Sequence, residues 1–495
     1  TPVCHLARFP QSLATLFPAT LTNDEWTALS KLTHYFRTQD ECKQALTAHG
    51  HRHCIQPIDD VYPKCCEERP CYSSVNELIP SKKHLYTAHG ANPPAELCKH
   101  LLEKYGQVCE TESTHKIMGR LDTFISKLCG EMSTDTTFRP VLGGSMAEGT
   151  RVMEPSEGDF VLHMEDFKEH MFEPPEVHDR CFVRLKVKPD YQGSFRSYIT
   201  EDGYLIRPAF FRVTYRNASV VLTREQFWKD FPDFMRLSKT DIMADNQSIS
   251  HLDLIYHDDT FPWLLLDVDL TPGIYFPTGC PSWTTQHQLH QTLIKKNGFK
   301  AVAKWQATEH DDPTLFRLSF EQSTSELLKS VPREFKQTYK LGKILMKLCP
   351  EIEAYIEGPS GYIPSYHLKM VVLGLYHESL AMTDSNDLPI EQKVLTLTKE
   401  MFARLTEAYR MRRLDDFWLP GCNLLLATKY ASHAWCAANY CRIISWLLQP
   451  GVDTLPELLS PADCEPQPRP AQNDAVNPGV DTLPELLSPA DCEPQ

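Results

Sequence analysis

A short stretch of the chain, from Val141 to Met164, contains residue types that suit phosphate and metal chemistry. It begins with a Gly-Gly-Ser turn at residues 143–145, and after the spacer of residues 146–156 come Glu157 and Asp159. The apolar residues that follow predict a β-strand, in which these two side chains point to the same face. Neighbouring carboxylates suit Mg²⁺, and glycines let backbone amides approach a phosphate closely. We therefore predict a metal and phosphate site here.

A second acidic pair follows an apolar run in the segment Trp263–Ile274. Asp267 and Asp269 are two residues apart, so they share a face of the buried strand that the run predicts. Three ionised carboxylates within a few ångströms repel each other unless cations lie between them, and two divalent ions about 4 Å apart would relieve this. Asp267 is either a fourth acid of the site or a charge at the strand end. Glu157 and Asp159 alone would also fit a turn before a solvated strand end.

Composition limits the classes of partner. The 495 residues have a net charge of -15, so nucleic acid would need a local basic face, for which Lys295, Lys296, Lys300 and Lys304 are candidates. No apolar run reaches the roughly 18 residues of a membrane span, and no secretory signal is visible. The 17 cysteines form no paired C-x-x-C motif, so we expect most to be reduced thiols in a cytoplasmic protein.

Changes in composition and in hydrophobic periodicity along the chain predict four regions. They are an N-terminal extension of unknown role at 1–96, an α/β core with a leading helix at 97–310, a helical region at 311–448 and a disordered tail at 449–495. The extension contains a Cys/His cluster between Cys42 and Cys71 whose spacing matches no zinc module. In the acidic, proline-rich tail, Pro450–Gln467 recurs unchanged as Pro478–Gln495. Its Leu-Pro-Glu-Leu-Leu sequence is either a docking motif or a product of recent duplication.

Hydrophobic periodicity predicts the elements within these regions. We expect helical structure at 95–132, at about 224–236 after a Thr223/Gln226 capping box, and near 322–330, 333–349, 364–380, 391–413 and 424–448. We expect strands at 138–142, 182–187, 209–215, 251–256 and 263–270. In the helical region at 311–448, Lys336, Lys340, Lys343 and Lys347 share one helix face, which is either solvated or borders a triphosphate cleft.

Four motifs in the helical region, together with the acidic segments, resemble a known family. They are Phe-Arg-Leu-Ser-Phe at 316–320, Tyr-Lys-Leu-Gly-Lys at 339–343, Ser-Tyr-His-Leu-Lys at 365–369 and Leu-Pro-Gly-Cys-Asn-Leu at 419–424. Their order is similar to that of cyclic GMP-AMP synthase and its animal relatives, the cGAS-like receptors of the Mab-21 (male-abnormal-twenty-one) family. The resemblance covers about residues 97–448. It implies a mixed, twisted nucleotidyltransferase sheet and an α-helical C-terminal lobe, with the active site between them.

The resemblance also implies residue roles. Glu157, Asp159 and Asp269 would be catalytic and would hold two Mg²⁺ or Mn²⁺ ions. Nucleotides would be bound by Gly144, Ser145, Arg317, Ser319, Lys343, Ser365 and Tyr366. Arg317 also fits a salt-bridged structural residue, and Tyr366 also fits a core residue.

Two features depart from the vertebrate members of this family. The segment Glu321–Tyr339 contains no Cys or His, so we expect no structural zinc in the helical lobe and no DNA sensing of the vertebrate kind. Glu321 itself stands where those enzymes have a serine, which is expected to change base preference.

These patterns lead to one expected function and two alternatives. We expect a cytoplasmic enzyme that makes a cyclic dinucleotide from ATP, GTP or related NTPs, as an innate immune sensor activated by double-stranded RNA or another foreign ligand. The alternatives are a catalytically silent scaffold that binds nucleotide or protein, and a template-independent RNA nucleotidyltransferase.

Overall fold

The computed structural model describes residues 93–133, 136–179, 181–236, 250–259, 264–278, 288–303, 312–349, 363–380, 388–425, 434–449 and 456–464. The Cys/His cluster, Lys304 and the second copy of the tail repeat lie outside these residues.

A nine-stranded mixed sheet forms the centre of the described fold. Its strands are β1 (Phe138–Leu142), β2 (Glu157–Met164), β3 (Glu176–Asp179), β4 (Phe182–Arg184), β5 (Phe234–Arg236), β6 (Ser250–Tyr256), β7 (Leu264–Phe276), β8 (Phe299–Val302) and β9 (Leu315–Ser319). The order is β1-β2-β7-β8-β9-β4-β3, and β5 and β6 extend it through the pairing of β6 with β7. Strands β2 and β7 are parallel, and the other pairs are antiparallel. The predicted mixed sheet is confirmed.

Helices cover the sheet and then continue to the C-terminal side. They are α1 (Pro94–Tyr105), α2 (Glu112–Met132), α3 (Gly144–Ala147), α4 (Pro189–Gln192), α5 (Arg207–Leu222), α6 (Glu225–Lys229), α7 (Gln288–Asn297), α8 (Glu321–Ser330), α9 (Arg333–Leu348), α10 (Ser365–Ser379), α11 (Ile390–Arg410) and α12 (Ala434–Leu447). Within the described residues, no helix is both long enough and apolar enough to cross a bilayer.

Helix α2 supports the strands that position the acids. Its N-cap Thr111 accepts a hydrogen bond from the Thr114 backbone N–H at 3.2 Å, and its predicted apolar stripe is buried. A Cβ on Gly158 of β2 would lie 2.8 Å from a methyl group of Leu121, so only glycine allows helix and strand to approach this closely. The acidic pair of β2 is therefore fixed on a strand that packs directly on α2.

Two predicted elements are wrong. The expected strand at 209–215 belongs to helix α5, because Pro208 begins a helix and the apolar positions recur every three to four residues along the buried face. The expected helix at 224–236 is only the five residues of α6, followed by β5. Its capping box does not form, since the Thr223 hydroxyl donates to the Val220 carbonyl, and Pro232 interrupts the segment.

The C-terminal helices α9, α10, α11 and α12 pack on one another, and α1 joins them through α9 and α11. Helices α8 to α11 confirm the predicted helical segments. The segment predicted as 424–448 differs, because Leu424 and Leu425 lie in a turn and α12 begins at Ala434. The four predicted region boundaries stay predictions.

Residues 456–464 correct the expectation of a wholly disordered tail. They end in a short 3-10 helix, Pro461–Cys464, that contacts α11 and α12. Cys464 is fully buried, and Leu458 and Leu459 pack against the core. Apolar contacts thus fix this part of an otherwise polar segment.

Candidate active site

The acids of the two sequence segments meet on neighbouring strands. In the parallel register of β2 and β7, Glu157 pairs with Asp267 and Asp159 pairs with Asp269. The intervening Gly158 is buried, as is Val268, whereas the acids are half-buried or exposed. All four carboxylates therefore project from one accessible face of the sheet, and Asp267 belongs to the same group as the three predicted acids.

The Gly-Gly-Ser turn packs against this acidic face. The Gly143 N–H donates to the Asp159 carbonyl at 2.7 Å, and Gly144 has a φ of +59°. A Cβ on Gly144 would lie 1.7 Å from Asp159 Oδ2, so the turn requires glycine for both backbone and space. Ser145 Oγ is buried and has no hydrogen-bond partner within the part of the chain that the structure describes. Its hydroxyl is thus available to a bound group.

Arg151, which the sequence analysis missed, contacts the acidic face from the spacer. Its guanidinium is 1% exposed and pairs with Glu157. It also donates to the Glu154 carbonyl at 2.8 Å and to Ser156 Oγ at 2.6 Å. An arginine six residues before an acid has no distinctive spacing, so only the folded spacer reveals the pair.

A divalent cation would find suitable donors here. Four carboxylates and the hydroxyl of Ser145 are hard oxygen ligands of the kind that Mg²⁺ and Mn²⁺ prefer. Among the described residues, no three His, Cys, Asp or Glu side chains are already gathered closely enough to form a metal centre. In this arrangement Glu157 is paired with Arg151. Metal binding by these residues would require Glu157 to leave or share Arg151.

Glu321 lies on the glycine turn. Its Oε1 accepts from the Gly144 N–H at 3.0 Å, and its Oε2 accepts from Lys300 Nζ at 3.1 Å. Lys300 is 3% exposed, so this lysine is a buried partner of Glu321 and not part of a basic surface. The predicted basic cluster is further reduced because Lys296 pairs with Glu326.

Arg317 and Tyr366, two predicted nucleotide contacts, are brought together. The Arg317 guanidinium lies 5.5 Å from the centroid of the Tyr366 ring. The Tyr366 hydroxyl donates to Asp416 Oδ2 at 2.7 Å, and burial together with Asp416 raises the pKa of Tyr366. Asp416 also accepts from the Trp418 N–H at 2.8 Å. The sequence gave no signal for Asp416, which orients the tyrosine.

Ser319 and Ser365 occupy the remaining predicted nucleotide positions outside the lysine helix. Ser319 ends β9 opposite Lys300 of β8. Ser365 is exposed at the start of α10 and makes a hydrogen bond with the phenol of Tyr339. The structure thus places these two serines at element ends, where Ser319 is half-buried and Ser365 is exposed.

The lysine face of α9 is not uniformly solvated. Lys340 and Lys343 are buried, and they donate to the carbonyls of Gly106 at 2.8 Å and Thr150 at 3.2 Å. Burial, followed by the repulsion of Arg151, lowers the pKa of Lys343 to about 7. Lys343 therefore contacts the spacer between the glycine turn and Glu157.

A buried ion pair also reaches the spacer from α10. Lys369 Nζ lies 2.6 Å from Glu148 Oε1, with the two side chains 10% and 1% exposed. Burial alone would lower the pKa of Lys369, but the attraction of Glu148 and their hydrogen bond raise it above its ordinary value. The pair joins α10 to the residues that directly follow Ser145.

A disulfide joins Cys181 to Cys422. The Cys181 carbonyl accepts from Leu318 in β9, and the Cys422 carbonyl accepts from the Asp416 N–H. Six other described cysteines are free thiols, namely Cys98, Cys109, Cys129, Cys436, Cys441 and Cys464. They agree with the expectation that most cysteines are thiols, and the Cys181–Cys422 pair departs from it. The bond connects the backbone beside Arg317 to the residue that holds Tyr366.

Comparisons with known proteins agree with this geometry. Residues 146–330 match the model of the Mab-21 protein nucleotidyltransferase domain, a range that includes the acids, Arg317 and Ser319. The chain is 24% identical over 330 residues to a protein described as a cyclic GMP-AMP synthase-like receptor from Magallana gigas. That alignment covers 64% of this chain and 51% of the relative, so the chain spans about half the length of the curated relative that it matches.

Proposed function

Because this chain belongs to the Mab-21 family of nucleotidyltransferases, we propose that it joins ATP, GTP or related NTPs into a cyclic dinucleotide. One observation supports this most: the paired register of β2 and β7 brings Glu157, Asp159 and Asp269 to one face, beside a glycine turn with a free hydroxyl. Those are the groups that nucleotidyl transfer between a hydroxyl and a triphosphate needs.

The acids are the proposed metal ligands. Glu157, Asp159 and Asp269 would hold two Mg²⁺ or Mn²⁺ ions, with Asp267 beside them on β7. Once bound, such ions would supply charge neutralisation for the triphosphate and a lowered pKa for the attacking hydroxyl. The coordination of Glu157 would compete with its pair to Arg151, so Arg151 would oppose metal uptake.

The neighbouring residues would bind and orient the nucleotides. The Gly144 N–H and Ser145 Oγ would donate to phosphate oxygens, and Lys343 would add a positive charge when protonated. Arg317 would donate to the edge of a base. Tyr366 would stack on a base, a contact worth about 1–3 kcal/mol. Ser319 and Ser365 would contact the acceptor and donor nucleotides.

We further propose that the protein is a cytoplasmic innate immune sensor activated by double-stranded RNA or another foreign ligand. Helix α2 offers few available cations, because Lys116, Arg120 and Lys127 pair with acids at positions 258, 233 and 230. Double-stranded RNA that bound this helix would have to displace those surface pairs. A disulfide is unusual in reducing compartments, so the cellular location is itself a measurable part of the proposal.

A catalytically silent nucleotide-binding protein is the second candidate. The pairing of Arg151 with Glu157, and the contact of Glu321 with the Gly144 N–H, favour it, because both occupy groups that the reaction would use. Such a protein would bind nucleotide without turnover.

The test is product formation by the whole chain. Purified protein is incubated with labelled NTPs and Mg²⁺ or Mn²⁺, with double-stranded RNA, double-stranded DNA, an RNA primer or no ligand. We expect a phosphatase-resistant dinucleotide that Asp159→Asn abolishes. Glu165→Gln is the matched control, because Glu165 follows the same strand but pairs with Arg139 at 2.7 Å. Nucleotide binding without product would support the silent protein, and primer extension would support an RNA nucleotidyltransferase.

A further inference from the structure

The docked tail segment is recognised through its backbone. The Asn439 side chain of α12 donates through Nδ2 to the Leu459 carbonyl at 2.9 Å, and its Oδ1 accepts from the Leu459 N–H at 2.7 Å. Asn439 is fully buried. A buried amide that satisfies both backbone groups of one residue fixes the register of the segment on the helix, because a shift would leave all four groups unpaired.

Side chains of the same segment fill the surface between α11 and α12. Leu458 and Leu459 pack against the core, and Cys464 is fully buried. The turn between them is held internally, since Asp463 Oδ2 accepts from both the N–H and the hydroxyl of Ser460 at 2.7 Å. The segment thus has two apolar anchors and a turn that is ordered by its own Ser and Asp residues.

Arginines near this turn add charge complementarity. The hydrogen bonds of Ser460 lower the pKa of Asp463, and the charges of Arg410 and Arg442 lower it further. Arg410 lies at the end of α11, and Arg442 lies in α12. An acidic residue four positions after Leu459 thus suits the charge of this surface.

The chain contains this ligand twice. Pro478–Gln495 repeats Pro450–Gln467 without change, so every residue that makes a contact has an identical counterpart. The counterparts are Leu486, Leu487, Ser488, Asp491 and Cys492. One docking surface and two identical segments occur in the same chain.

We propose that the α11–α12 surface is a peptide-binding site for the sequence Pro-Glu-Leu-Leu-Ser-Pro-Ala-Asp-Cys, and that residues 484–492 are its second, intramolecular ligand. This second segment occupies the surface whenever residues 456–464 leave it. Because the two copies have the same sequence, they would make the same contacts and differ only in the length of their tether. Leu459 follows the end of α12 by about 12 residues and Leu487 by about 40, and effective concentration falls as the 3/2 power of length. The first copy is therefore favoured about sixfold.

A fluorescent synthetic peptide of residues 456–464 tests the proposal on the whole chain. The variants are Leu459→Asp, Leu487→Asp and the double variant, and Leu388→Asp is the matched control because Leu388 is 42% exposed. We expect the double variant to bind the peptide tightly. Leu459→Asp should bind it far more weakly than the double variant, because the second copy protects the surface. Wild type, Leu487→Asp and Leu388→Asp should bind it weakest.

Four outcomes would overturn the proposal. Equal binding by Leu459→Asp and the double variant would mean that the second copy does not reach the surface. No binding by a folded double variant would mean that the surface is not a peptide site. If the double variant does not fold, amide hydrogen exchange of α12 in Leu459→Asp provides the test. The proposal expects the exchange rate to rise about sixfold or less, because the second copy replaces the first. A loss of all protection of α12 would refute the proposal. Association between chains would be seen as a sedimentation coefficient that rises with concentration in wild type but not in Leu487→Asp. This result would mean that the second copy binds another chain and not its own.

Discussion

The buried pair between Lys369 and Glu148 offers a sharp test of how the C-terminal helices hold the active-site spacer. Replacing Lys369 with methionine keeps most of the apolar stem but removes the charge. The Glu148 carboxylate, which is 1% exposed, would then lose its cationic partner. We expect Lys369→Met to reduce the free energy of unfolding by about 3–5 kcal/mol, the usual effect of leaving one charge of a buried pair uncompensated.

The magnitude depends on burial. The same pair on the surface would contribute at most about 1 kcal/mol, because water screens exposed charges. Here the 2.6 Å contact is almost wholly shielded, and removing both charges together should be much less harmful than removing either. The double variant Lys369→Met/Glu148→Gln should therefore recover at least about 2 kcal/mol relative to the sum of the single losses.

The assay is urea unfolding of the two single variants and the double variant, followed by tryptophan fluorescence at constant m-value. Nucleotide affinity is measured on the same samples, since Glu148 lies three residues after Ser145 and a loosened spacer should weaken binding in both single variants. Additive losses in the cycle, or single losses below about 1 kcal/mol, would refute the conclusion that a buried pair joins α10 to the spacer.

The pair also has a pH signature. Burial would lower the pKa of Lys369, but Glu148 raises it above the ordinary 10.5. A raised folded-state pKa contributes stability that is complete below the unfolded value and is lost as the pH rises through the folded value. Wild type should thus lose stability above pH 10.5 more steeply than Lys369→Met, and parallel curves would contradict the assignment.

Three further predictions concern the candidate site and its supports. Replacing Cys181 and Cys422 by serine should lower the free energy of unfolding by about 5 kcal/mol, because the bond closes a very long loop, and reductant should do the same in wild type; unchanged thermal melting would contradict this. ATP affinity should weaken as the pH rises through about 7, since Lys343 loses its proton there, and Lys343→Met should abolish that dependence; a persistent dependence would assign it elsewhere. Gly144→Ala should abolish turnover, whereas Gly149→Ala should retain it, because Gly149 has a φ of +67° but open space for a Cβ. An equal loss of turnover in both variants would mean that backbone strain alone causes it.

The central part of the fold could be predicted from local pattern. Glu157 and Asp159 stand before an apolar run, and Asp269 ends another, so period-two alternation placed them on strands. The alternation failed at 209–215, where aromatic and β-branched residues favour a strand, but Pro208 and the burial of every third or fourth residue produce a helix.

The contacts around the acids could not be predicted in this way. Glu321 reaches Gly144 across 177 positions, and Lys369 reaches Glu148 across 221. Such pairs have no spacing rule, because the packing of separate elements creates them. The same applies to Arg151, whose role depends on the folded path of the spacer.

In the tail, composition predicted the wrong outcome for residues 456–464. Its composition predicts disorder, since acids and prolines dominate, and only three apolar side chains decide the outcome for residues 456–464. Average composition cannot reveal that these few side chains face a complementary surface with a buried asparagine.

The most direct test of the account is a crystal of the whole chain grown with Mn²⁺ and a non-hydrolysable ATP analogue, measured at the manganese absorption edge. We predict two anomalous peaks bound by Glu157, Asp159 and Asp269, with Glu157 no longer paired with Arg151. Bound nucleotide without manganese at these carboxylates, or an intact Arg151–Glu157 pair at saturating Mn²⁺, would contradict the proposal that this acidic face performs metal-dependent nucleotidyl transfer.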